Sequence, residues 1–289
     1  MNYVLFNPHA GNSSYESKLE KLNEIFTEDS KIIDMTELGD YKSFIASLSD
    51  DDFIVLCGGD GTINRFVNDT SDIEIKNDIL YYPLGTGNDF LKDISDKAID
   101  KPISIKKYIS DLPSVEVNSR AYRFINGVGF GVDGYCCEVG DALKAKSDKP
   151  VNYTAIAIKG LLFHFKPKNA VITVDGVRHE FKKVWIAPTM NGKYYGGGMI
   201  PAPEQDRLNP TGELSVTVFH GSGKLKTLMI FPSIFKGEHV KNTKYVSVLK
   251  GHEISVEFDS PCALQIDGET ILGVTKYTAK SSKMARVAK

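Results

Sequence analysis

The first 120 residues alternate between short continuous apolar runs and segments with an apolar residue every three or four positions. "YVLF" (3–6), "KIIDM" (31–35), "FIVLC" (53–57) and "ILYYP" (79–83) have strand length. Between them, "YESKLEKLNEIF" (15–26) sets Leu19, Leu22, Ile25 and Phe26 on one helical face. "YKSFIASL" (41–48) predicts a second helix, and the run from Thr62 to Val67 a third, through Ile63, Phe66 and Val67. Buried strands alternating with helices predict a mostly parallel sheet covered on both faces.

Past residue 120 the pattern shortens to strand-like stretches divided by turn residues. "AYRFINGVGFGV", "AVITVDG", "RHEFKKVWIAP", "GELSVTVFH", "KYVSVLKG", "HEISVEF" and "CALQIDGE" are of this kind. Asp175-Gly176 between two such runs is a hairpin signal. Only 153–165 and 225–235 carry a helical pattern here. The expectation is an α/β domain over 1–120, a mostly-β, sandwich-like domain over 121–275, and a basic tail over 276–289 that either stays free or returns to the first domain.

The length of 289 residues suits two domains, and 42% apolar with 25% charged residues is ordinary for a globular chain. No stretch reaches the roughly 20 apolar residues of a membrane span. "YTAIAIKGLLFHF" (153–165) is shorter and carries Lys159, and the start "MNYVLFNPHAGN" has no leader pattern. The four cysteines, at 57, 136, 137 and 262, form neither a disulfide framework nor a zinc spacing. These features point to a cytoplasmic protein. The six histidines show no metal spacing, and no nucleic-acid motif is present. The net charge of −2 hides an asymmetry. Residues 1–120 hold 12 basic against 22 acidic residues, a net −10, and residues 121–289 hold 23 against 15, a net +8. A basic half suits an anionic membrane surface, or is simply the solvated face of one domain.

The chemistry-bearing stretches sit where strands end. Gly58-Gly59-Asp60-Gly61-Thr62 follows the third strand and opens a helix. Gly85-Thr86-Gly87-Asn88 follows the fourth, before Phe90 and Leu91. Asn7, Pro8 and Gly11 follow the first. Ligands of open α/β sheets bind outside the carboxyl ends of the strands. Glycines let a ligand approach the backbone, and N–H groups at a helix start attract anions. A tight turn needing glycine explains one such loop; three in one domain predict a nucleotide site. Asp60 would repel a bare phosphate, which implies a Mg²⁺ nearby. The P-loop and protein-kinase motifs are absent.

"GGDGT", then "PLGTGNDF" about 25 residues on, with an early "NP…G", resembles the diacylglycerol kinase catalytic-domain family, the soluble bacterial lipid kinases related to sphingosine kinases, NAD kinases and phosphofructokinases. "FINGVGFGVDG" (124–134), "APTMNGKYYGGGMIPAP" (187–203) and "LQIDGE" (264–269) continue the resemblance through the second domain. It implies an NAD kinase/phosphofructokinase-like α/β domain followed by a β-sandwich-like domain. It implies an ATP- and Mg²⁺-dependent kinase that phosphorylates a lipid hydroxyl. ATP would lie on Asn7, Pro8, Gly58, Gly59, Gly61, Thr62, Gly85, Thr86, Gly87 and Asn88. Asp60 would act on the catalytic Mg²⁺ through water. Glu269 would be the general base, with Asp267 beside it. The lipid would come from an anionic membrane that the enzyme touches peripherally, and a homodimer is left open.

Two positions depart from the family pattern. Arg65 stands where the family has a glutamate after "GGDGT", and either contacts phosphate or points to solvent. The compact acidic turn that holds a structural Mg²⁺ in the family is here the longer "PAPEQDRLNPTGELSV" (201–216), with Asp206 as the candidate ligand. Two rival readings are an NAD kinase-type small-molecule kinase, from "GGDGT" alone, and a non-catalytic nucleotide- or lipid-binding relative, from Arg65 and the altered 201–216 segment.

Overall fold

The computed structural model describes residues 1–11, 13–27, 29–84, 88–95, 97, 99–146, 151 and 153–283. The chain divides into two units, Met1–Asp111 and Leu112–Lys289. The division falls earlier than the expected residue 120 because the strand at 114–117 pairs within the second unit.

In the first unit, strands β1 (Asn2–Phe6), β2 (Ser30–Asp34), β3 (Phe53–Gly58), β4 (Asp78–Pro83) and β5 (Ile103–Ser104) form one sheet in the order β2-β1-β3-β4-β5. All pairs are parallel except β4–β5. The connections carry α1 (Tyr15–Ile25), α2 (Tyr41–Ala46), α3 (Asp60–Asp69), α4 (Asp89–Ile94) and, after β5, α5 (Lys106–Ile109). The expected periodicity explains the packing. Leu22 and Phe26 of α1 and its exit cover Val4, Phe6, Val55 and Cys57 on one sheet face. Leu5, Ile54 and Leu56, pointing the other way, are also fully buried. Asp40 caps α2 by accepting from the N–H groups of Lys42 and Ser43.

The second unit contains β6 (Ser114–Val117), β7 (Arg120–Arg123), β8 (Gly127–Gly131), α6 (Val132–Lys144), α7 (Tyr153–Lys159), β9 (Lys168–Val174), β10 (Val177–Val184), β11 (Ile186–Met190), β12 (Leu214–Phe219), α8 (Lys224–Ile230), β13 (Val246–Gly251), β14 (Glu253–Ile266) and β15 (Glu269–Lys280). A π-helical turn, Gly160–His164, extends α7, and a 3₁₀ segment, Phe231–Lys236, extends α8. The strands are antiparallel, in the order β13-β12-β11-β8-β14-β15-β6-β7, with β9 and β10 joined through β14. Strand β14 makes this a sandwich-like fold. Its first half pairs with β9 and its last residues with β8, with irregular register between Glu257 and Leu264. The enclosed core includes Val128, Phe130, Ile172, Val216, Val256, Leu264 and Tyr277. The Asp175-Gly176 hairpin forms as expected, with both residues at positive φ.

The α6 helix is a departure from the sequence reading. Its buried face is Val132, Asp133, Gly134, Cys136 and Gly140, small and polar residues that give no apolar stripe. Gly134 explains the choice: a Cβ there would lie 2.0 Å from the carbonyl oxygen of Ala263, so only glycine lets the helix lie directly on β14. The tail expected over 276–289 also differs. Residues 276–280 complete β15, which pairs with β14 and β6. A long strand with half its side chains exposed carries no apolar run to reveal it.

Candidate functional site

Strands β1, β3 and β4 are neighbours, so their carboxyl ends bring three loops side by side. A short hydrogen-bond network ties these loops together. Asn7 Nδ2 donates to Thr62 Oγ1 (3.1 Å), while Asn7 Oδ1 accepts from His9 N–H (2.9 Å). The Tyr81 hydroxyl lies 2.9 Å from Gly58 O and 3.1 Å from Asn88 Oδ1, sharing its proton between them. Burial, reinforced by the Asp60 charge, pushes the Tyr81 phenol pKa up, which keeps it a donor. Pro8 contributes its carbonyl to the buried ammonium of Lys18. Gly85, Thr86 and Gly87 lie outside the described residues.

Asp60 is the hinge of this network. It is the first residue of α3, yet its carboxylate accepts from the start of α4: Asp89 N–H to Oδ2 (2.9 Å), and Phe90 N–H to both oxygens (3.3 Å each). One carboxylate therefore sits at two helix N-termini, where the macrodipoles favour negative charge. A carboxylate has about four acceptor positions, so a water-mediated cation can still share it. A direct metal bond would compete with the α4 cap.

The glycines of this loop serve different ends. A Cβ at Gly58 would stand 2.1 Å from Thr62 Oγ1, so this glycine is needed by the protein's own packing. Gly59 has φ −113°, open to any residue, and a Cβ would meet only Asn88 Oδ1 at 3.4 Å. At Gly61 a Cβ would meet nothing within 4 Å. Neither backbone nor packing demands glycine at 59 and 61. What their missing side chains leave is an open cradle at the start of α3, which no side chain caps. That space fits a nucleotide phosphate. Arg65 does not share it. Its guanidinium is exposed and pairs with Asp69 one turn on (3.3 Å), so the solvent-facing alternative is the observed one.

In the second unit the Asp267-Gly268 turn joins β14 to β15, with φ of 48° and 95°. Asp267 does not point freely. Its Oδ2 accepts from Ile125 N–H (2.6 Å), and its Oδ1 from Asn126 (2.8 Å) and Gly127 (3.0 Å). It clamps the loop leading into β8. Gln265 Oε1 holds the same turn through Gly268 N–H (2.9 Å). Glu269, first residue of β15, is exposed. The turn thus has one acid committed to the backbone and one presented outward.

The 201–216 segment departs from the metal-site expectation. Asp206 is exposed and its Oδ1 accepts from Leu208 N–H (2.9 Å). Among the described residues no group of three or more His, Cys, Asp and Glu side chains could hold a metal ion. The neighbouring Arg207 reaches inward instead, donating to Ile125 O (3.0 Å) and Asn126 Oδ1 (3.0 Å). Asn191 Nδ2 adds a bond to Ile125 O (3.0 Å). The loop 125–127 therefore gives its N–H groups to Asp267 and offers an oxygen to a guanidinium. Arg207 and Asn191 escaped the sequence reading. The signal for Arg207 was a lone Arg in a segment that departs from the family pattern, and Asn191 sits within the quoted 187–203 stretch.

Asp133 was also unforeseen. It lies on the buried face of α6, where neither carboxylate oxygen, nor the Tyr195 hydroxyl, nor Gln265 Nε2 makes a hydrogen bond of good geometry; Gln265 and the N–H groups that start the helix are the polar neighbours of Asp133. Burial pushes the Asp133 carboxyl up to about 7.

The family model described as "Diacylglycerol kinase catalytic domain" matches residues 2–113, and that of the "YegS C-terminal NAD kinase beta sandwich-like domain" matches residues 126–282. The chain belongs to the family of the YegS C-terminal NAD kinase beta sandwich-like domain, with a diacylglycerol kinase catalytic domain ahead of it. Among its relatives in this family, a Bacillus subtilis protein named "Putative lipid kinase YtlR" is 27% identical over 252 residues, covering 79% of this chain and 77% of its own. A Staphylococcus aureus (strain JH9) protein, "Putative lipid kinase SaurJH9_0749", is 28% identical over 232 residues, covering 77% and 72%. Of solved structures, a "putative diacylglycerol kinase from Bacillus anthracis str. Sterne" superposes with a TM-score of 0.68 at 20% identity, over 97% of this chain and 94% of that one. That likeness concerns the fold. The two matched domains and the relatives together carry the coarse function, a lipid kinase-like transferase, and a kinase implies use of ATP.

Proposed function

We propose that this chain transfers the γ-phosphoryl group of ATP to the hydroxyl of a lipid, diacylglycerol or a relative, presented at an anionic membrane surface. The observation that carries the nucleotide half is the open backbone at Gly59 and Gly61, which nothing among the described residues of the first unit requires. Bound Mg²⁺–ATP supplies the transferable phosphoryl group and the cation that neutralises charge as it moves. The residues do the rest. The N-terminal N–H groups of α3 would orient phosphate oxygens, and Asp60, which fixes the α3 and α4 loops, would help hold the Mg²⁺ through water. Asn7 and Thr62 hold the first loop against the second. In the second unit, Asp267 fixes the turn and Glu269 takes the proton of the lipid hydroxyl as the new O–P bond forms and the bond from the γ-phosphorus to the bridging oxygen breaks, leaving ADP. Such an alcohol has a pKa far above 7, so general-base help is worth about 10² to 10⁴ in rate.

The test is transfer of label from radiolabelled ATP to a panel of diacylglycerol, sphingoid base, phospholipid and polyprenol, with NAD as control. Glu269→Gln should lower kcat on the best lipid by about 10² to 10⁴ with nucleotide binding intact, because the nucleotide loops belong to the other unit. Label on NAD and on no lipid would replace this reading with the NAD kinase-type one. No transfer at all, with ATP still bound, would favour a non-catalytic relative.

A further inference from the structure

The helical layer of the second unit has an outer surface unlike the rest of the molecule. α7 with its π-helical turn and α8 with its 3₁₀ extension pack side by side, burying Ile156, Leu161, Phe165, Ile230, Phe231 and Ile234 in one shared cluster. Their inner faces are thus satisfied. Their outer faces still carry large apolar side chains: Leu225 is 76% exposed, Phe163 71%, Met229 68%, and Ile158 and Phe235 lesser amounts. Leu225 and Met229 are four residues apart, so they share one helical face. Elsewhere, Val177 and Leu272 are similarly exposed, but each on a strand of its own.

The two segments that build this surface carry charge of one sign, with acids only at its margins, at Glu138 and Glu238. Residues 153–168 hold Lys159, Lys166 and Lys168 and no acid. Residues 221–237 hold Lys224, Lys226 and Lys236 and no acid. Lys224 and Lys226 bracket the most exposed apolar side chain, Leu225. A hydrocarbon boundary overlaid by anionic headgroups matches both features at once, the apolar side chains entering the acyl region and the lysines staying at the phosphates. No helix among the described residues is long and apolar enough to cross a membrane, so this contact is made in the plane of the surface.

We infer that the face formed by Phe163, Leu225 and Met229, with Lys224 and Lys226 beside them, docks this protein onto anionic bilayers. The inference rests on the lipid-kinase reading for its purpose, since it would deliver the second unit to its substrate, but the docking itself requires no catalysis. The full chain is tested for co-sedimentation with phosphatidylcholine vesicles, with and without phosphatidylglycerol, in the absence of nucleotide. Wild type should bind the phosphatidylglycerol vesicles and lose most of that binding in high salt. Leu225→Ser with Met229→Ser should weaken vesicle affinity by about tenfold or more, because two apolar side chains no longer leave water. Phe163→Ser alone should weaken it by a smaller factor, and Lys224→Glu with Lys226→Glu should abolish the preference for phosphatidylglycerol. Thermal melting should be unchanged in the apolar variants, since Phe163, Leu225 and Met229 are exposed. Turnover of lipid dispersed in detergent micelles should also be unchanged, while turnover on vesicles falls. Wild-type vesicle affinity in the Leu225/Met229 variant overturns the proposal. So does a wild-type protein that sediments as a dimer and becomes monomeric in that variant, which would assign the face to a second copy. Vesicle binding as described, without label transfer to any lipid, would leave the docking face standing and remove the kinase reading.

Discussion

Replacing Asp267 by Asn separates a clamp from a catalyst. The carboxylate accepts three backbone N–H groups, from Ile125, Asn126 and Gly127, at 2.6, 2.8 and 3.0 Å. Asparagine tolerates the left-handed backbone at this position, so the turn itself is not strained. Its Oδ1 can keep the bonds from Asn126 and Gly127. Its Nδ2 then faces the Ile125 N–H, donor against donor. A bond to a charged group is worth about 1.5–3 kcal/mol, and stranding a buried donor costs about 1–3 kcal/mol. The site is only half-buried, so water softens both, and a total near 3 kcal/mol is expected. At about 2–4 °C per kcal/mol for a unit of this size, the melting temperature should fall by roughly 6–12 °C. Amide exchange at Ile125, Asn126 and Gly127 should accelerate by about 10², since each 1.4 kcal/mol is tenfold. Arg207→Met, which removes the cation on the other side of the same loop, should speed exchange at the same amides. The assay is hydrogen exchange read by mass spectrometry or NMR, beside urea unfolding. A variant with native exchange and stability but abolished turnover would refute the clamp and return Asp267 to the chemistry.

Two further outcomes follow from the geometry. Gly59→Ala should fold with little loss and bind ATP more weakly, because its Cβ meets only an ordinary contact until a phosphate arrives. Gly58→Ala should instead destabilise by about 1–3 kcal/mol through Thr62; calorimetry and melting of both would show the opposite ranking if the assignment is wrong. Asp133, lifted to about 7 by burial, keeps a proton in the folded state that the unfolded chain has lost by pH 4–5. The contribution of Asp133 to stability is therefore most favourable below the unfolded value and falls as pH rises toward about 7, by up to about 1.4 kcal/mol per pH unit, then levels. Neighbouring Cys136, Cys137, Cys262, Tyr195 and Tyr277 stay neutral throughout, their pKa values all raised by burial. Asp133→Asn should remove this slope, and urea midpoints from about pH 5 to 8 that run parallel in the two proteins would contradict it.

The alternating pattern by itself determined the first unit. Its strands are buried on both faces and its helices pack one side, so period and composition report the structure directly. The three glycine-bearing strand ends were legible for the same reason, because a strand's carboxyl end and the next helix start are local features. Which glycine serves which purpose was not. Gly58 and Gly59 are adjacent and identical, and only the position of Thr62 across the turn distinguishes them. Asp60 shows the same limit: its partners lie 29 and 30 residues away, on another loop. In the second unit the hairpins were legible from their turns, but α6 was hidden because its buried face is made of glycine, cysteine and an acid chosen for close approach to β14. The role of Asp267 and the entry of Arg207 depend on contacts spanning 81 to 142 residues. A local pattern carries no information about such contacts. The folded backbone brings the 125–127 loop between an acid and a base, and there the commitment of each polar group is decided.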